Sequence, residues 1–126
     1  AQLGLAKTLI VQEKFSEAKP LLKDFPPSKQ SNIITLLLRF SEIMIQYKNG
    51  ELLNRTPLEA TYQTVLRLIL IKNYEAALDG LLDILRSERN FHNGDAKTVF
   101  LAILEIAGEN NLNSRRYRME LSSVLF

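Results

Sequence analysis

The chain has 126 residues, 46% hydrophobic and 24% charged, with a formal net charge of +2. That is one domain's length in an ordinary globular composition, with too little positive charge to argue for nucleic acid by itself. It has no cysteine, which excludes a disulfide framework, a thiolate zinc site and a redox pair within these residues and fits a reducing compartment.

The elements read almost entirely at the helical period. Leu3, Ala6, Leu9 and Ile10 open a first short helix. A second starts near Ser16 and carries Ala18, Leu21, Leu22 and Phe25; Pro20 fits if it lies in the first turn or just after it. DFPPSKQS (residues 24–31) breaks the chain, because a Pro-Pro pair cannot continue a helix. Residues 32–47 form a third helix, apolar around most of its circumference, and Asn49-Gly50 stops it. TPLE (residues 56–59) is a strong start signal: Thr56 as N-cap, Pro57 at the first helical position and Glu59 completing a capping box. The helix it opens carries Leu58, Tyr62, Val65, Leu66 and Ile69. After a short turn at 71–73, Tyr74, Ala77, Leu78, Leu81, Leu82 and Leu85 make a clean apolar stripe. Residues 90–94 are a turn, and Asp95 caps a helix bearing Val99, Phe100, Ile103 and Leu104 that ends at Gly108. A polar loop at 109–113 precedes a last helix, residues 114–125, with Tyr117, Leu121, Val124 and Leu125 on one face. The most apolar runs, at 33–38 and 65–71, fall far short of the about 20 residues a membrane span needs. The opening AQLGLAKTLIVQ has no initiator Met, basic leader or cleavage signal and starts mid-pattern, which reads as the C-terminal fragment of a longer protein.

One phrase occurs twice. EKFSEAKPLLKDF (residues 13–25) and KNYEAALDGLLDIL (residues 72–85) both run aromatic, acid, Ala, then a Leu pair, with Phe15 and Tyr74 59 residues apart. The aromatic wedges into a helix–helix groove, the Ala lets the helices approach, and the leucines face the next hairpin. Such a unit cannot bury its own faces and stacks on neighbours. Tyr74-Glu75-Ala76-Ala77-Leu78 resembles the second-helix signature of the tetratricopeptide repeat; Phe15-Ser16-Glu17-Ala18 matches it less fully, with Lys19 where Leu belongs. The spacing exceeds the family's repeat, so the expected fold is all-α, an irregular TPR-like α-solenoid of about seven helices, with residues 1–126 as a single helical domain.

Residues 57–126 are also similar to the C-terminal tail of the bacterial chaperedoxins, thioredoxin-fold co-chaperones with a TPR-like extension. PLEATYQTVLRLILIKNYEAALDGLLDILRSERNF, DAKTVFLAILEIAG and the terminal RRYRMELSSVLF carry the resemblance; residues 1–56 fit more loosely. The thioredoxin-like domain itself is not in this sequence. The resemblance implies a cytoplasmic, non-enzymatic protein-interaction module. Its partners would be unfolded client proteins and a chaperonin or Hsp70-type chaperone, with no cofactor and no membrane.

Chemistry-bearing residues are few. His92, the one histidine, stands near Asp95 in FHNGD, with no nucleophile beside it. A loop histidine beside a helix cap explains it. Glu88, His92 and Asp95 make a poor metal set, and no phosphate-loop motif occurs. Arg115, Arg116 and Arg118 cluster on the last helix and read either as a solvated face or, with Leu125 and Phe126, as a docking surface for an acidic partner. The cluster is too narrow for nucleic acid. Competing readings are a scaffold or oligomerisation domain of an unrelated multidomain enzyme, and a nucleic-acid-associated regulator.

Overall fold

The computed structural model describes residues 2–107 and 113–126. Among them stand seven α-helices and no strand: α1 Gln2–Val11, α2 Phe15–Lys23, α3 Ser31–Lys48, α4 Pro57–Leu70, α5 Tyr74–Ser87, α6 Asp95–Ala107 and α7 Ser114–Leu125, with a short 3-10 turn at Phe91–Gly94 before α6. The all-α helical-repeat expectation is met. The helix end at Gly108 and the loop expected at 109–113, except Asn113, lie outside the described residues. The chain forms two compact units, residues 1–51 and 52–126.

In the first unit α2 packs against both α1 and α3. Leu3, Ala6 and Ile10 of α1, Phe15, Ala18 and Leu22 of α2, and Leu37, Phe40, Ile43 and Met44 of α3 are buried together. Phe15 meets the Phe40 ring edge-on at 6.1 Å, which makes it the wedge that the sequence suggests. Two details differ from expectation. α2 begins at Phe15 rather than Ser16, so Pro20 falls inside the helix, beyond its first turn. The helix therefore forgoes the bond that residue 20 would give to the Ser16 carbonyl.

α3 ends at a Schellman cap. Gly50 has φ +71, its N–H reaches the Tyr47 carbonyl at 3.1 Å, and Glu51 N–H reaches Gln46 at 2.9 Å.

In the second unit α5 is the hub, packed against α4, α6 and α7. That explains its apolar surface: Ala77, Leu78, Leu81, Leu82, Ile84 and Leu85 are all buried. Fully burying one such leucine contributes roughly 1.5–3 kcal/mol. α4 and α5 are close at Gly80, where an added Cβ would lie 2.7 Å from Val65 Cγ2.

The repeated phrase is a repeated structure. α1 and α4 both end in a Schellman cap whose left-handed residue is not glycine: Glu13 at φ 64 and Lys72 at φ 63. The bonds match: Glu13 N–H to Ile10 and Lys14 N–H to Leu9 in one turn, Lys72 N–H to Ile69 and Asn73 N–H to Leu68 in the other. The aromatic of the next helix follows two residues on each time. Ala18 and Ala77 are both fully buried. Tyr74, however, is only half-buried where Phe15 is buried.

Candidate partner-binding surface

α7 is held to the second unit by a short list of contacts. Asn113 caps it, its side chain accepting from Arg116 N–H at 3.2 Å. Tyr117 and Leu121, one turn apart, are its buried residues. Tyr117 meets Phe100 of α6 edge-on at 6.2 Å, and its hydroxyl donates to Asp79 Oδ1 of α5 at 3.1 Å. Burial, and then this bond to a carboxylate, push the phenol above its ordinary range. At the far end of α7, Arg89 Nη1 donates to the Leu125 carbonyl at 2.8 Å.

The opposite face is open. Arg115, Arg116 and Arg118 are all exposed, as the sequence suggests. Two of the three are engaged within the unit. Arg116 pairs with Glu120 one turn on at 3.2 Å and lies 4.5 Å over the Tyr117 ring. Arg118 lies 3.9 Å from Glu105 of α6. Arg115 makes no ion pair among the described residues. Leu125 is half-buried, whereas Phe126 is 99% exposed. Between the arginines stands Met119, 67% exposed, which sequence reasoning missed. Its spacing from Arg115, four residues, would have placed it on this face. Open depressions flank it on both sides, one walled by Arg115, Arg116 and Glu120 and the other by Arg118 and Ser122. A flexible apolar side chain among cations can dock an apolar residue that has acidic neighbours; it offers no acid, base or nucleophile for catalysis.

The His92 reading changes. Its partner is a residue that the sequence placed elsewhere: Nε2 lies 3.0 Å from Glu59 Oε2. Its ring stacks on Phe91 at 4.1 Å, and both rings meet Tyr62 edge-on. His92, Asn93 and Gly94 are all left-handed, at φ 46, 57 and 93. Asp95, expected as the N-cap, is itself helical at φ −62 and opens α6.

Glu59 also departs from its expected role. Thr56 Oγ1 accepts from Glu59 N–H at 3.1 Å, as a capping box requires. The return bond, however, goes to Arg55 N–H at 2.8 Å instead of Thr56 N–H. That backbone bond, and then the one to His92, hold the carboxyl below its ordinary range. Among the described residues no three His, Cys, Asp or Glu side chains gather as a metal site, and no helix is long and apolar enough to cross a membrane.

A family model of the tetratricopeptide repeat matches residues 53–126, well over half of the chain. The chain belongs to the tetratricopeptide-repeat family. Neither a curated protein nor a solved structure matches it. Tetratricopeptide-repeat domains generally mediate protein–protein interaction and are typically non-catalytic. The matched region is the second unit without its first residue, Leu52, so α7 and Phe126 lie within the match.

Proposed function

We propose that this tetratricopeptide-repeat chain docks a protein partner through the outer face of α7. In this reading it is the cytoplasmic interaction tail of a thioredoxin-like co-chaperone that contacts unfolded clients and a chaperonin or Hsp70-type chaperone. The observation that carries the docking surface is Phe126, 99% exposed, close in sequence to an exposed Met119 that stands among three arginines. Exposed apolar side chains that gather into a patch rimmed by polar groups mark interaction sites. The similarity of RRYRMELSSVLF to the chaperedoxin ending supports the choice of partner.

The test is calorimetric titration of the purified chain into a purified chaperonin and, separately, an Hsp70. The wild type is compared with M119E/F126S and with a truncation after Asn113, all checked for helicity. Neither substituted side chain is buried, so the double variant should fold normally. The expected result is at least tenfold weaker binding for the double variant and none for the truncation. Equal affinity of wild type and double variant would remove the surface, and no binding to either machine by the folded wild type would remove the co-chaperone reading.

A further inference from the structure

Four side chains make the outer face of α7 a single track. At about 100° per residue, Arg115, Met119, Ser122 and Phe126 fall within an arc of about 60°, on the side away from the buried Tyr117 and Leu121. Each of the two depressions beside Met119 is walled by a set spaced i, i+3, i+4 and i+7. One set is Arg115, Arg118, Met119 and Ser122; the other is Arg116, Met119, Glu120 and Ser123. Such a diamond is the hole that receives a side chain of a facing helix. We infer that the occupant of this face is an acidic amphipathic α-helix of a partner protein, seated with one apolar side chain in a hole beside Met119, a second against Phe126 and a carboxylate on Arg115. The inference rests on the docking surface proposed above and names what that surface takes.

The face selects a helix over an extended strand. The backbone of α7 is spent on its own helical bonds, so the N–H and C=O groups of a strand laid along it would find no main-chain partner. A helix arrives with its backbone already satisfied. Ser122 and Ser123 are exposed and small, which lets an incoming helix reach the roughly 8–10 Å between axes at which knobs enter holes. Met119 and Phe126 are seven residues apart, two turns or about 10.5 Å along the axis. The apolar stripe of a second helix repeats at that spacing.

The charge selects the sign. The holes are walled by Arg115, Arg116 and Arg118 against Glu120, and Arg115 makes no ion pair among the described residues. A second copy of α7 would bring its own arginines face to face with these, and like charges so placed repel. A carboxylate meets Arg115 with a charge-assisted bond instead.

The probe is a capped peptide of about 14 residues, locked helical by a side-chain lactam, with two leucines spaced as Met119 and Phe126 are and a glutamate one turn outside each. Two controls differ in one property each: lysine for glutamate, or prolines that forbid the helix. The readout is the methyl signals of the full chain labelled at methionine. Of its two methionines, Met119 is 67% exposed and Met44 is fully buried, so Met44 is the internal standard. The acidic helix should move the Met119 signal saturably by ~5 mM peptide and leave Met44 still. The lysine helix should bind at least about tenfold more weakly, and R115E should bring the two within about threefold of each other. The proline peptide should not saturate. No saturation with the acidic helix would overturn the inference. So would equal binding by the proline peptide, which means an extended occupant, or by the lysine helix. A Met119 signal that moves with the concentration of the chain alone would assign the face to a second copy and overturn it too. The chaperone titrations separate this inference from the docking reading. Chaperone binding that M119E/F126S weakens, with an inert acidic helix, keeps the surface and removes the helix. Acidic-helix binding without chaperone binding keeps the helix and removes the co-chaperone reading.

Discussion

Replacing Gly80 by alanine tests how closely α4 and α5 are joined. On a free helix the change is favourable, by about 1 kcal/mol. Here the new methyl would lie 2.7 Å from Val65 Cγ2, nearer than carbon atoms tolerate without one of them moving. Val65 is buried, and a valine in a helix keeps one strongly preferred rotamer, so it cannot swing aside. The helices must separate instead, at the roughly 1–3 kcal/mol typical of overpacking. The net expectation for G80A is a loss of about 0–2 kcal/mol, taking the helix gain against the strain. V65A alone leaves a void and costs about 1–3 kcal/mol. Together the two changes should cost less than their sum by about 1–2 kcal/mol, because the new methyl occupies the space the valine leaves. Urea denaturation followed by helical circular dichroism supplies the four corners of the cycle, and near-ultraviolet signals from Tyr62, Tyr74 and Tyr117 report the second unit. Stabilisation by G80A near 1 kcal/mol, with strict additivity in the double variant, would show that the helices are not in close contact there.

The hairpin caps give a second expectation. K72G relieves a left-handed lysine and should stabilise the second unit by about 0.5–1 kcal/mol, whereas G50A should destabilise the first by about 1 kcal/mol; the reverse signs in urea titrations would refute the cap assignment. Tyr117 supplies a third. Its phenol is held above the ordinary value of 10.0, so the folded state keeps the proton more tightly than the unfolded one. That stabilisation is complete below pH 10 and is lost as pH rises through the folded-state value. Y117F should cost about 1 kcal/mol at neutral pH and flatten the alkaline limb of a stability–pH profile. An unchanged alkaline limb would dissociate Tyr117 from it. Glu59 gives the opposite case. Its carboxyl is held below the ordinary 4.5, so its contribution is present above that pH and lost as pH falls through the folded-state value. E59Q should therefore remove part of the acid limb, read by the same profile between pH 2 and 6, and an identical limb would refute the role of its bonds to Arg55 and His92.

What the sequence made legible is what short-range chemistry decides. The Thr56-Pro57 start and the Asn49-Gly50 stop stand where expected, because the cap and the left-handed glycine act within four residues. The apolar stripe of α5 is buried from Ala77 to Leu85, with Tyr74 at its start half-buried. What escaped depends on contacts between distant positions. Glu59 and His92 lie 33 residues apart in the chain; a capping-box reading accounts for one oxygen of the carboxylate and cannot see that the second is taken by a turn beyond α5. Pro20 was expected near the first turn because α2 was begun one residue late, at Ser16 rather than at the wedge residue Phe15. The left-handed Glu13 and Lys72 carry no glycine to announce them. Only the repetition of the following aromatic hints that the two turns are one design.

The arginine cluster shows the same boundary at the candidate site. Three arginines within four residues read as one positive surface. Packing divides them: Glu120 on α7 and Glu105 on α6 each engage one, and Arg115 keeps its charge toward solvent. The surface left over is thus less basic and more apolar than the sequence suggests, centred on Met119, with Phe126 at the end of the chain. A binding face of that kind takes its affinity from burying the methionine and the phenylalanine, at roughly 1.5–3 kcal/mol for each side chain fully covered. The remaining charge sets orientation and encounter rate. Removing Arg115 should therefore slow association and weaken its salt dependence, whereas removing Met119 should speed dissociation. That division separates an apolar docking face from the electrostatic one that the bare run Arg-Arg-Tyr-Arg suggests.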